Sequence, residues 1–417
     1  MNAAYDIVIA GGGMVGISLA LQLDSLLPAE TSILLVEGHA LPGGEQASAD
    51  RYHPSFDARS TALSYSSRAA YEGMSLWDEL QQWACPIDTI HVSSKGHFGS
   101  TVLAGHDYGW PALGYVVENA WLGRCLASAL SRRARLNVVS PARVERALQR
   151  TAGVELAIAG ADGQQQVRAG LLLIADGAQS ALCRQLGMTT HNKPYGQHAI
   201  VANVAVSQPH RGCAFERFTD EGPLAMLPLV GTAEAQHRCA LVWTLPPSRA
   251  DAMMSCSAAA FAHALQARFG YRLGRLRKVS ERASYPLSLT RSTEQVRQGV
   301  VVMGNAAHAL HPVAGQGFNL ALRDVVQLGK TLQEGLQQGL HPGDLSLLQR
   351  YQQRQDKDQD RTIDFSDQVP SLFMRKDPLL QVGRDIALLG LDILPPLKAA
   401  FVRQAAGVAA MESSSHG

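Results

Sequence analysis

The sequence predicts an α/β fold. It reads as a Rossmann-like nucleotide-binding domain, an inserted and mainly antiparallel β-sheet domain suited to a substrate, and a helical C-terminus. Three observations predict it. A strand, a glycine turn, a helix and a second strand open the chain within residues 5–37. Short strand-like runs separated by turns fill residues 198–245. A buried strand at 300–304 then enters a Gly/His/Pro loop that feeds a long helix.

The opening unit is the most specific of the three. Tyr5 to Ala10 is short, apolar and β-branched, as a buried parallel strand is. Gly11, Gly13 and Gly16 follow in G-x-G-x-x-G spacing, Ile17 to Leu23 reads as a helix, and Ile33 to Val36 as a second strand. Glu37 sits at the tip of that strand, about 20 residues past the last glycine, where an acid accepts hydrogen bonds from a ribose diol. Gly11 suits the tight turn, Gly13 leaves room for a pyrophosphate, and Gly16 permits close helix–strand packing. The free N–H groups and positive dipole end of the helix favour phosphate.

Composition narrows the function class. At 417 residues, 46% hydrophobic and 18% charged, the chain suits a packed protein of two or three domain-sized units. A net charge of +1 offers no basic excess for nucleic acid, which is not expected as a partner. The six cysteines are scattered, without C-x-x-C or zinc spacing, and read as free thiols, so no metal site is expected. No basic region precedes an apolar core at the N-terminus, and no run reaches about 18 apolar residues. A signal peptide and a transmembrane helix are therefore not expected, and a cytoplasmic location is.

After Glu37 a polar loop runs to about Phe56, and Asp57 to Leu63, with Arg59, leads toward a helical stretch. Residues 86–117 alternate apolar and polar with glycine breaks, as short antiparallel strands do. Asn119 to Arg133 reads as an amphipathic helix with leucines at 122, 126 and 130. Val138–Val139, Val144–Leu148 and Val154–Ile158 read as strands. Leu171 to Ala175 is a buried strand that runs into Asp176-Gly177, and Ser180 opens a helix carrying Arg184. Ala258 to Phe269 is a helical patch within the second sheet, and Ala283 to Leu287 closes it. Gly304 and Asn305 then start the late loop, which carries His308, His311, Pro312, Gly315 and Gly317 before a helix near Asn319 that includes Asp324. A cofactor reaching from the first glycine loop to this one must be extended, as FAD is. Leu345 to Arg361 is strongly charged and expected to be exposed. The apolar stretch from Leu379 to Val402 is expected to dock on the protein's own core, with an oligomer contact or a membrane-surface patch as alternatives.

These three sites, in this order, resemble the class A flavin-dependent aromatic hydroxylases of the p-hydroxybenzoate hydroxylase fold. The resemblance covers nearly the whole chain. Finer matches resemble the ubiquinone-biosynthesis hydroxylase branch: Asp57 to Leu63, Val117 to Asn119, Ala214 to Thr219, Gly222 to Pro228 and His311 to Leu320. One departure is Asn305, where that family usually has Asp on a ribityl hydroxyl; the amide oxygen still accepts, without charge assistance.

The resemblance implies a fold, a cofactor and a reaction. The expected partition is an FAD-binding domain at 1–75, 115–195 and 286–365, a substrate domain at 76–114 and 196–285, and a C-terminal helical segment at 366–417. Arg59, Asn119 and Arg124 would line the FAD, Asp176 and Gly177 its ribose–pyrophosphate side, and Gly304 and Asn305 the ribityl chain. Pro312, Gly315, Gly317 and Asn319 would approach the isoalloxazine ring, with His308 or His311 as candidate bases beside Pro312. NADPH or NADH would reduce FAD, and O2 would then give a C4a-hydroperoxyflavin that hydroxylates a polyprenylated phenol of the 2-octaprenyl-6-methoxyphenol type. Expected partners are that polyprenylphenol, O2, a ubiquinone-biosynthesis complex, a second copy of the chain, and the periphery of the inner membrane. Two alternatives stand beside this reading. One is a hydroxylase of a small soluble aromatic; the other is an FAD-containing assembly subunit of a quinone-synthesis complex.

Overall fold

In the computed structural model, the side chains of strand β1 (Ala3–Ala10) alternate between two hydrophobic cores, and that parity organises the nucleotide-binding half. The structure describes residues 3–42, 52–95, 100–161, 163–310 and 315–374, together with 399, 402–403 and 406–408. Ile7 and Ile9 point to one core, Val8 and Ala10 to the other. The same split recurs in β2 (Ile33–Val36) and in the end of β11 (Gly163–Ile174): Ile33, Leu35, Leu171 and Leu173 face one way, Leu34, Val36, Leu172 and Ile174 the other. Both faces being covered is why these strands read as continuous apolar runs.

The eight-stranded sheet runs β18 (Val296–Arg297), β19 (Val300–Val302), β11, β1, β2, β8 (Leu136–Val139). From β19 to β8 every pair is parallel. The meander β9 (Ala142–Arg150) and β10 (Gly153–Gly160) extends antiparallel from β11. On one face lie α1 (Met14–Leu26), α4 (Asn119–Ser131), α8 (Gln316–Gln337) and α9 (Leu345–Met374). Leu19, Leu122, Leu126, Leu328 and Leu348 are fully buried there, each worth about 1.5–3 kcal/mol of burial. The meander and α5 (Ala181–Gln185) cover the other face.

The nine-stranded sheet runs β20 (His308–Ala309), β17 (Ala283–Ser292), β12 (Thr190–Val206), β15 (Arg238–Leu245), β14 (Pro223–Leu229), β13 (Cys213–Phe218), β5 (Thr89–Ser94), β6 (Ser100–Ala104). It is antiparallel except that β13 and β5 run parallel; β16 (Leu276–Val279) also pairs with β12. Helices α6 (Pro247–Ser255) and α7 (Ala258–Phe269) cover one face, α6 through Ala250 and Met253 and α7 through Phe261, Leu265 and Phe269. A three-stranded sheet of β3 (Ser60–Ser64), β7 (Gly114–Glu118) and β4 (Ala84–Ile87) bridges the two large ones, with α2 (Tyr65–Gly73) and α3 (Trp77–Leu80) beside it. Strand β17 continues unbroken past residue 286, so the chain leaves the antiparallel sheet only after Ser292.

One sequence expectation is corrected. Residues 345–361 are charged, but the helix they form is not exposed throughout. Leu347, Leu348, Tyr351, Gln355 and Gln359 are buried, at the three- and four-residue spacing that makes one helix face, and the charges lie on the other. Most of the apolar stretch 379–402 lies outside the described residues.

Candidate active site

Four adjacent parallel strands deliver the predicted cofactor residues side by side. In the order β19, β11, β1, β2, their C-terminal ends carry Gly304 and Asn305, Asp176 and Gly177, Gly11 to Gly13, and Glu37. Ligands of open parallel sheets bind at that edge. Backbone bonds fix the alignment: Gly11 N–H donates to Val36 O (2.8 Å), Ala175 N–H to Ala10 O (2.8 Å) and Met303 N–H to Ile174 O (2.8 Å).

Each glycine of the first loop has its own reason. Gly11 has φ +106°, and a Cβ there would sit 2.5 Å from the Ala175 carbonyl oxygen. A Cβ on Gly16 would overlap the Gly11 carbonyl oxygen. At Gly13 a Cβ would meet nothing within 4 Å: the space in front of this residue is open. Helix α1 begins there with no side-chain cap and no acid in its first turn, so its N–H groups are left for an anion. The Glu37 carboxylate accepts from Gly12 N–H (2.6 Å) and from His39 N–H (2.8 Å), which sets it at the rim of the loop.

The other loops show the same economy. Asp176 accepts from the Ser180 hydroxyl (3.0 Å), and Ser180 caps α5 by accepting from Cys183 N–H (3.0 Å). Asn305 is exposed at the start of a short 3-10 turn. Helix α8 starts at Gln316, again without a side-chain cap or an early acid, after Gly315 in a left-handed conformation (φ +60°). At Gly317 a Cβ would find its nearest neighbour 4.0 Å away. An extended dinucleotide with a diphosphate at α1 and a flat ring near the start of α8 fits these residues.

Several predicted residues are engaged by partners within the protein. Every polar group of the Asn319 side chain is used internally. Its oxygen accepts from Ser64 N–H (2.9 Å) and the Ser67 hydroxyl (2.6 Å), and its amide donates to Ala62 O (3.0 Å) and Gly315 O (2.7 Å). Asn319 thus locks β3 and α2 to the start of α8. His308 is 2% exposed, and its Nε2 meets the Asp324 carboxylate at 2.6 Å, which also accepts from Gln359 (2.9 Å). Its ring lines a cavity of about 440 Å³ bounded by α9 residues Gln352, Asp356 and Gln359. His308 therefore fastens the late loop to α8 and α9. His311 and Pro312 lie outside the described residues. Arg59 is exposed with its guanidinium 5.3 Å from the Tyr285 ring, Asn119 accepts from Thr61 (2.6 Å), and Arg124 lies over Tyr52 (5.7 Å).

Sequence reasoning missed the polar tie between the sheets. Arg238, on β15, is fully buried and pairs with Glu118, at the end of β7; Tyr52 also donates to Glu118. Burial, then the Glu118 carboxylate, raises the Tyr52 hydroxyl well above its usual range, so it stays a donor. Asn203 on β12 donates to the carbonyls of Phe56 (2.8 Å) and Ala58 (2.6 Å). Both contacts hold one face of the nine-stranded sheet against the segment that carries Arg59 and Asn119.

Comparison with known proteins agrees with this geometry. Residues 4–366 match the FAD binding domain family. Over 407 residues the chain is 32% identical to ubiquinone hydroxylase UbiL of Rhodospirillum rubrum, covering 96% of this chain and 89% of that protein. The chain belongs to the FAD-dependent ubiquinone hydroxylase family. This flavoprotein is also 28% identical to the 3-demethoxyubiquinol 3-hydroxylase of Escherichia coli, over 98% of this chain and 100% of that one. Among solved structures, its fold matches PqsL of Pseudomonas aeruginosa, a probable FAD-dependent monooxygenase, with a TM-score of 0.74 at 17% identity, covering 93% of this chain and 100% of that one. It also matches p-nitrophenol 4-monooxygenase PnpA of Pseudomonas putida, with a TM-score of 0.71 at 19% identity, covering 93% of each chain. Among the described residues no helix is long and apolar enough to cross a membrane, and no cluster of His, Cys, Asp or Glu suits a metal ion.

Proposed function

We propose that this chain is an FAD-dependent monooxygenase that hydroxylates the aromatic ring of a polyprenylated phenol in ubiquinone biosynthesis, with NADPH or NADH and O2 as co-substrates. The observation that carries the reading is the delivery of glycine and acidic loops by four adjacent parallel strand ends. Bound FAD supplies the acceptance of a hydride and the activation of O2. The rest is the work of this chain's residues.

Gly11 to Gly16 and the start of α1 hold the diphosphate, and Glu37 accepts from the adenosine ribose. Asp176 and Gly177 border the ribose–pyrophosphate side, and Gly304 with Asn305 takes the ribityl chain. Arg59, just before β3, and Asn119 and Arg124, on α4, line the cofactor. Gly315 and Gly317 let backbone approach the ring, where the N-terminus of α8 stabilises negative charge that develops on reduction. The nine-stranded sheet excludes water from the reacting ring, and residues 76–114 and 196–285 form the substrate-binding part. Two relatives named for ubiquinone chemistry, matched along almost their whole lengths, support the substrate class.

Two measurements test the reading. Purified protein should be yellow and release FAD on acid treatment. A strain lacking the protein should accumulate a prenylphenol short of one hydroxyl, and the restored gene should clear it. A normal ubiquinone pool with no such intermediate would sink the proposal.

A further inference from the structure

The inner face of the nine-stranded sheet carries one feature that the cofactor chemistry does not use. Opposite residues on successive strands form a row: Val201 on β12 faces Val242 on β15, Val242 faces Ala225 on β14, Ala225 faces Glu216 on β13, and Glu216 faces Val92 on β5. On the other face, Ile200, Trp243 and Phe215 are packed against α6 and α7. On the inner face, Val201, Val242, Ala225 and Glu216 stay only half-buried although they lie on central strands. A central strand keeps exposure on one face only where a depression opens above it. The same face is tied to the 56–59 segment by Asn203 and to β7 by Arg238, so the row lies on the side of the sheet that is held against the segments leading to Arg59 and Asn119.

Within that row Glu216 is the one ionisable side chain, set among Val and Ala. Its charged neighbours in sequence and register face away. Arg217 donates to the Arg268 carbonyl (3.0 Å) and to Ser93 on the helix-covered side, and His91 packs against Phe215 there. Glu221 is engaged by Arg249 (3.0 Å) and Arg268 (2.9 Å). Burial, uncompensated by any charge, pushes the Glu216 carboxyl up to about 7.

We infer that Glu216 is the residue that accepts the substrate's phenolic proton, anchoring the ring hydroxyl in the apolar depression and activating the ring for oxygen transfer. The inference rests on the phenol-hydroxylase reading above. The phenol O–H bond breaks and its proton passes to a Glu216 oxygen. The electron pair left on oxygen enriches the ring carbon that receives the oxygen atom from O2. That carbon then loses its own hydrogen as a proton, and Glu216 returns its proton to the phenolate oxygen. Overall, one O2, one NAD(P)H and one proton are consumed, and one ring hydroxyl, one water and one NAD(P)+ form. A carboxyl that titrates near neutrality suits both directions of transfer.

The test uses FAD-loaded protein, a geranylated 2-methoxyphenol and the methyl ether of that phenol. Binding is read from the flavin absorbance change, and turnover from hydroxylated product. Wild type should bind the phenol in preference to its ether. E216A should lose that preference. E216Q, whose amide oxygen still accepts a hydrogen bond, should keep it while product formation falls about 100-fold and the rise of kcat/KM through pH 7 disappears. Wild-type turnover and pH profile in E216Q, or a retained phenol preference in E216A, overturns the inference. If E216A fails to fold, the E216Q profile decides alone. Failure of the substrate reading looks different: wild type then prefers the phenol but forms no product. Wild type that binds neither compound overturns both readings.

Discussion

Two glycines three positions apart make opposite predictions. Gly16 faces the Gly11 carbonyl with no room for a Cβ, whereas Gly13 faces open space. Gly16→Val should therefore break the βα turn and lower stability, read as a drop in unfolding midpoint. Gly13→Val should leave the fold intact, read by circular dichroism, yet purify without FAD. Retention of FAD by Gly13→Val would remove the diphosphate from this site. Asn305 is a second residue-scale case. Asp in its place should add charge assistance to the proposed ribityl bond, worth about 1 kcal/mol, or about five-fold tighter FAD binding in an equilibrium titration. Glu216 gives a third, independent of activity. Its folded-state carboxyl is raised, so between the ordinary carboxylate range and about 7 the folded chain holds more protons than the unfolded one. Stability is then lost as pH rises through that window. Glu216→Gln removes the loss: the variant should be more stable than wild type at pH 8 and closer to it at pH 5, by denaturant unfolding. No difference between the two pH values would show that the carboxyl is not raised.

At the scale of elements, the first βαβ unit was the most legible part, because a glycine turn between apolar strands has few alternative structures. The element order of the second sheet was legible from turn signals, and the helix 258–269 matches α7 in both bounds. What stayed hidden depends on facing partners. The charges of 345–361 suggested exposure, yet α9 buries one face against α8 because its apolar residues recur every three or four positions. The parallel pairing of β13 with β5 joins residues more than a hundred positions apart, which no local pattern encodes. At the site, the glycines and Glu37 were readable from spacing. The anchoring use of Asn319 and His308 was not, since both partners come from other elements. Glu216 left one trace: Ala214, Glu216 and Phe218 share a strand face, so an acid stands on an otherwise apolar stripe. The Arg238–Glu118 pair joins two sheets and gives the element-scale prediction. Arg238→Ala leaves Glu118 buried without its cation, and should cost about 3–5 kcal/mol in denaturant unfolding. A loss under about 1 kcal/mol would mean that the apolar contacts around it, not the ion pair, join β15 to β7.

For the molecule as a whole, the cofactor is itself a structural element. The four strand ends and the start of α8 come from residues 11 to 317, so one extended ligand bound as proposed would contact segments spread over most of the chain. A ligand that needs all of them in place binds the folded chain and not the unfolded one, and so stabilises it by mass action. At a free FAD concentration about 100 times Kd the gain is about 2.7 kcal/mol. Spread over the unfolding entropy of a chain this long, that moves Tm by about 3 °C. The shift should grow with the logarithm of FAD concentration in stripped protein and vanish in Gly13→Val, whose own fold is unchanged. AMP, which would reach only the β1–β2 end of the proposed site, should give a smaller shift than FAD. Equal shifts from the two ligands would mean that the late loop and α8 do not close on the flavin, and that only the first fifty residues hold it.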